Sequence, residues 1–149
     1  MIPTPDYRSI IHRPIELDDD EAGRSAAAFH QLMDRRRSVR HFSGRPVADE
    51  LIDTVIRTAS TAPSGAHKQP WTFCVVKDPG LKRAIRAASE AEEYENYHGR
   101  MSEEWLEDLA PIGTHWHKPF LETAPCLIAV FKRIYDMRPG GSRRKNYYV

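Results

Sequence analysis

Helices set around a thin sheet are what this sequence predicts, on three observations. Apolar residues recur at helical spacing through several stretches. Two short apolar runs, "WTFCVV" and "APCLIAVF", have the length and composition of buried strands. Segments rich in Pro and Gly separate these pieces. The 149 residues suit one domain, and 40% hydrophobic against 29% charged residues is the balance of a soluble globular chain.

Residues 1–20 read as an extended N-terminal arm holding Pro3, Pro5 and Pro14, and the acids of "ELDDDE" at its end suit the start of a helix. From Glu21 to about Arg35, the residues Ala26, Phe29, Leu32 and Met33 fall at helical spacing. A second helix is expected from about Ala48 to Ser60, with an apolar stripe of Leu51, Ile52, Val55, Ile56 and Ala59 and the acids Asp49 and Glu50 near its start. "TAPSGAHKQP" is loop chemistry, and "WTFCVVK" is the first buried strand. "DPG" starts another helix, carrying Leu81, Ile85 and Ala88. Beyond Ser89 the apolar stripe thins and charge rises, which suits a mobile substrate lid at about 89–118, because mobile elements come from the low-stability end of a fold. A helical piece near Trp116 to Glu122 precedes "APCLIAVFK", the second buried strand, and "RPGGSRRKN" reads as a flexible polar loop. Two strands are few for this many helices, and the last strand, loop and tyrosines look like the run-up to a further helix. The sheet is therefore expected to be completed by another chain or by a longer sequence.

Lys plus Arg is 22 and Asp plus Glu is 21, so the net charge is +1 and no basic excess favours nucleic acid. Cys74 and Cys126 lie in apolar runs as small buried hydrophobes, without CxxC or metal-type spacing. His115 and His117 are two apart with no carboxylate or cysteine suitably placed around them, so no metal site is expected. No apolar run reaches the roughly 20 residues of a membrane span. The first residues also lack a signal-peptide core, so a cytoplasmic protein is expected. GxGxxG, GxxxxGK[ST], Ser-His-Asp and Cys-His patterns are absent.

Three stretches could carry chemistry. "RRRSVRHF" follows the first helix. Arg35 there suits a helix C-terminus, while Arg36, Ser38 and Arg40 alternate onto one side if the chain extends, a donor set competent for phosphate. "APSGAH" is either a plain connecting turn or a small loop that lets a planar ligand approach the backbone. "EAEEYENYHGR" is either a solvated acidic helix or a face on which Glu93 and Tyr97, four apart, hold an ammonium while Lys118 holds a carboxylate. Trp71 and Trp105 read as packing residues.

Four segments together, "RRRSVRHFS", "VIRTASTAPSGAHKQPWTFCVVKDP", "EEYENYHGRM" and "DLAPIGTHWHKPFLETAPCLIAVFK", closely resemble the iodotyrosine deiodinase branch of the FMN-dependent nitroreductase-like superfamily, over about residues 24–149. The resemblance implies an α+β, nitroreductase-like fold, a central sheet flanked by helices, in residues 21–149, with the C-terminal part of the family's domain missing. It implies a homodimer with FMN at the subunit interface. Arg36, Arg37, Ser38, Val39 and Arg40 would then contact FMN around phosphate and ribityl, and Pro63, Ser64 and Gly65 would line the isoalloxazine. The amide of Ala66 would hydrogen-bond the substrate phenolate, and Glu93, Tyr97 and Lys118 would clamp the ammonium and carboxylate of a halotyrosine. The implied reaction is reductive dehalogenation of 3-halotyrosines, with electrons from an external donor such as an NADPH-linked reductase and no protein acid–base residue assigned. Vertebrate members carry an N-terminal membrane anchor that this sequence does not show, so a membrane-free homologue of bacterial type is expected. A flavoenzyme for another phenolic or nitroaromatic substrate, and an inactive binding fragment, are the alternatives.

Overall fold

The structure, a computed structural model, describes residues 11–147. The first half of the expected arm and the last two residues lie outside that range, and residues 11–18 form no helix or strand. The chain divides into two compact units, residues 1–39 and 40–149.

In the first unit, α1 runs from Asp19 to Asp34. It starts two residues before Glu21 because Asp18 caps it, its carboxylate accepting from the Glu21 amide at 2.7 Å, and three acids occupy the first turn. The expected apolar stripe is present but uncovered: no residue of α1 is buried, and Phe29 is 64% exposed.

The second unit begins its regular structure with α2 (Asp49–Ser60). One edge of its apolar stripe is covered, with Ile52 only 5% exposed, while Leu51 and Val55 on the other edge stay open. β1 (Trp71–Val76) pairs antiparallel with β2 (Leu127–Lys132), from Trp71 opposite Lys132 to Val76 opposite Leu127. Cys74 and Cys126 are half-buried free thiols rather than fully buried ones. Between the strands come α3 (Pro79–Glu95), a π-helical turn (Asn96–Arg100), α4 (Glu103–Leu109), a 3₁₀ turn (Ala110–Ile112) and α5 (Phe120–Thr123). Asp78 caps α3 by accepting from the Leu81 amide at 2.7 Å, and Pro79 supplies a first-turn residue that needs no amide partner. Ser102 caps α4 in the same way. Trp105, on α4, is 54% exposed rather than packed.

The polar C-terminal stretch departs from the sequence reading. Instead of a flexible loop, β3 (Tyr135–Met137) and β4 (Arg143–Lys145) form an antiparallel hairpin. Gly140 and Gly141 make this possible with φ of 89° and 82°, a region closed to most side chains, and the Arg138 amide donates to the Ser142 carbonyl at 2.9 Å. Four strands in two separate pairs thus replace the two expected, and the buried apolar residues among those described are Ile52, Pro70 and Ala124.

Candidate functional site

One face of α3 is polar where an apolar one was expected. Lys82, Arg86 and Glu90 succeed one another at four-residue steps, with Glu93 one turn further on, so they share a face. Lys82 is 7% exposed, and its ammonium donates to the carbonyls of Glu122 at 2.8 Å and Ala124 at 2.7 Å, at the end of α5. Arg86 donates to Glu90 at 2.7 Å and lies 3.6 Å from the Glu122 carboxylate. Glu90 also accepts from the backbone amide of Lys118 at 2.7 Å. Burial alone would raise the Glu90 carboxyl, but the hydrogen bonds from Arg86 and the Lys118 amide, with the charge of Arg86, outweigh it and hold the group below its ordinary value. The Arg86 guanidinium is correspondingly raised, chiefly by its bond to Glu90.

At the last position of this face, Glu93 meets Lys118. The Lys118 ammonium lies 3.1 Å from Glu93 Oε2, donates to the His115 carbonyl at 2.7 Å and sits 6.0 Å from the centre of the Tyr97 ring. The Tyr97 hydroxyl donates to Thr114 Oγ1 at 3.2 Å. The structure therefore brings together the three residues chosen from sequence for a zwitterion: an anion, a cation and a phenol. The Lys118 side chain is 17% exposed and that of Glu93 34%, so the pair is partly shielded yet open to a small ligand. Tyr94 stacks on His98 and meets Trp116 edge-on, tying the π-helical turn to the 114–118 segment.

The 63–69 loop has a conformation the sequence did not announce. Ala66, His67 and Gln69 have φ of 49°, 50° and 42°, all in the left-handed region, though none is glycine. Two 3₁₀ bonds close the turn, from the His67 amide to Ser64 and from the Lys68 amide to Gly65, and neither uses the Ala66 amide. The Ser64 hydroxyl accepts from the Gln69 amide at 2.8 Å, so this side chain serves the loop itself. Pro63, Gly65 and Ala66 are exposed.

Of the arginine segment, Arg36, Arg37, Ser38 and Val39 belong to the first unit and Arg40 to the second. Arg37 donates to the carbonyls of Asp34 and Arg36, closing the end of α1, a role sequence analysis gave to Arg35. Among the described residues no carboxylate pairs with Arg36 or Arg40. His115 and His117 stack at 6.3 Å, and the described residues contain no group of three or more possible metal ligands. Sequence reasoning passed over Lys82, Arg86 and Glu90, and weighed His117 only as a metal ligand. The one signal available was the Arg86–Glu90 spacing, which marks an ion pair but not what lies across it.

Helices threaded between two antiparallel strands, with an ion pair from α3 to the segment before α5, are the setting of the candidate site. The Nitroreductase family profile matches residues 33–148, and this chain belongs to that family. Within it, the chain is 59% identical over 134 residues to the iodotyrosine deiodinase of Haliscomenobacter hydrossis, covering 90% of this chain and 60% of that protein. It is 47% identical over 130 residues to human iodotyrosine deiodinase 1, covering 87% of this chain and 45% of that protein. A crystal structure of oxidized iodotyrosine deiodinase bound to FMN and 3-iodo-L-tyrosine superposes with a TM-score of 0.66 at 35% identity, over 69% of this chain and 55% of that one. The chain thus spans less than two thirds of the length of these relatives. No helix among the described residues is long and apolar enough to cross a membrane.

Proposed function

We propose that this chain carries the substrate clamp and part of the cofactor cradle of an FMN-dependent enzyme that reductively dehalogenates 3-halotyrosines. The observation that carries the reading is the Glu93–Lys118 pair beside Tyr97. An amino-acid ligand presents an ammonium and a carboxylate at fixed separation, and a carboxylate–ammonium pair is the matching set of partners. The identity to named deiodinases supports the choice of ligand.

The residues present fit FMN by their donor chemistry. Arg36 and Arg40 have no acidic partner among the described residues, and with Arg37 and Ser38 they offer guanidinium and hydroxyl donors suited to a phosphate monoester. Val39 belongs to the same segment of sequence, and the loop of Pro63, Ser64 and Gly65, in which Pro63 and Gly65 are exposed and Ser64 half-buried, would line the flavin ring. Bound FMN would supply two electrons. With one proton these convert the aryl carbon–halogen bond to a carbon–hydrogen bond and release halide. The chain's own part is positional: the Ala66 amide, unused within its turn, donates to the phenolate, and the clamp fixes the amino-acid end. The 89–118 segment would act as the lid that excludes water.

A homodimer belongs to the same reading. Open apolar positions such as Leu51, Val55, Val130 and Phe131 offer surface for it. An external reductase would recharge the flavin, and a cytoplasmic location accords with two free thiols. The test is anaerobic: the full chain is loaded with FMN, reduced with dithionite and given 3-iodotyrosine. One tyrosine and one iodide per reduced flavin are expected. Unchanged iodotyrosine would overturn the proposal, and equal turnover of 2-iodophenol would remove the amino-acid clamp from it.

A further inference from the structure

We infer that Glu90 is the positioning residue of the clamp: it sets where Lys118 stands without touching the ligand. The inference rests on the reading of Glu93, Tyr97 and Lys118 as a substrate clamp. Glu90 Oε1 accepts two bonds at once, from Arg86 Nε at 2.7 Å and from the backbone amide of Lys118 at 2.7 Å, and His117 Nδ1 lies 3.1 Å from it. His117 Nε2 lies 3.1 Å from Arg86 Nη2. A guanidinium can only donate, so Nε2 accepts. Arg86 and Glu90 are therefore a preformed fixture on a rigid helix, and residues 117 and 118 are seated on it through one side chain and one amide. With its amide held there, the Lys118 ammonium is placed against Glu93, one turn along the same helix. The Glu90–Lys118 bond also joins the two ends of the 89–118 segment, so it closes the neck of that segment.

The test compares E90A, E90Q, K118A and the double variant E90A/K118A in the FMN-loaded full chain. Three quantities are read: 3-iodotyrosine affinity by calorimetry, FMN affinity, and hydrogen exchange at the Lys118 amide. K118A should weaken 3-iodotyrosine binding, and E90A should weaken it by about ten- to a hundredfold, the range for a lost charge-assisted bond. E90A should also speed exchange at Lys118, leave FMN affinity within about twofold, and add nothing in the K118A background, because positioning acts through Lys118. E90Q keeps an acceptor oxygen and should recover part of the loss. If K118A weakens binding and E90A does not, or if E90A and K118A are additive, the positioning role is wrong and the clamp stands. If E90A lowers FMN affinity equally, Glu90 is merely structural. If K118A itself leaves iodotyrosine binding unchanged, the clamp reading falls and this inference with it.

Discussion

Glu93→Gln separates binding from stability. In the structure Glu93 and Lys118 satisfy each other at 3.1 Å, and Lys118 has the His115 carbonyl as a second acceptor. The glutamine removes the negative charge and keeps shape. The pair is a third exposed on the glutamate side, so its loss should cost the fold no more than about 1 kcal/mol. Binding is a different matter. A zwitterion enters by parting the pair, giving its carboxylate to Lys118 and its ammonium to Glu93. With glutamine at 93 the ammonium loses a charged acceptor, worth about 1.5–3 kcal/mol, or roughly ten- to 150-fold in Kd. The relevant assays are a urea midpoint, calorimetric titration with 3-iodotyrosine and quenching of FMN fluorescence. The midpoint and FMN affinity should hardly move while iodotyrosine affinity falls. Equal losses of FMN and iodotyrosine affinity would refute the reasoning.

Three further outcomes are expected. Lys82→Met keeps the apolar stem but strands one buried and one part-buried carbonyl, and should lower unfolding free energy by about 1–3 kcal/mol at unchanged m-value in urea; a shift under about 0.5 kcal/mol would show that water replaces the ammonium. A Cβ at Gly141 meets no neighbouring atom, so the cost of Gly141→Ala should be backbone strain alone, about 1–2 kcal/mol by urea titration, and Gly141→Asn should recover much of it. Glu90 has a lowered pKa in the fold, so the native state binds fewer protons than the unfolded chain through the carboxylate range. Its contribution is present above the unfolded value and lost as pH falls through the folded one. Urea midpoints from neutral pH down to pH of about 3 should therefore fall more steeply for the wild type than for Glu90→Gln, and parallel curves would contradict this.

What was legible in the sequence follows the range of each signal. The caps of α1 and α3 are local events, and the acids of "LDDDE" and the "DPG" step mark them directly. β1 and β2 are legible because an apolar run of that length has few other uses. α3 was legible as a helix but not in what it buries. Apolar spacing favours Leu81, yet Leu81 is half exposed and Lys82 is buried, because the opposing surface is a row of carbonyls at the end of α5. No local pattern reveals a partner 40 residues away. The β3–β4 hairpin was missed for the opposite reason: Arg, Lys and Ser mark it as loop, while the paired glycines that permit the turn were read only as flexibility. At the candidate site, Glu93, Tyr97 and Lys118 were chosen by residue type, and the structure brings them together. The left-handed backbone at Ala66, His67 and Gln69 had no signal, since non-glycine residues rarely adopt it.

The β1–β2 ladder has a consequence for how such a chain can vary. Its strands meet only after the whole of α3, α4 and α5 has been threaded between them. The entropy of closing a loop grows with the logarithm of its length, and doubling it costs only about 0.6 kcal/mol. The ladder therefore scarcely registers how much chain lies between its strands. Residues of the 89–118 segment can be added, removed or exchanged at little expense to the sheet, provided the bonds at its neck survive. Chemistry and choice of ligand are thereby separated along the chain: a conserved-length frame can keep its strands in register while the span between them is redrawn for a different guest.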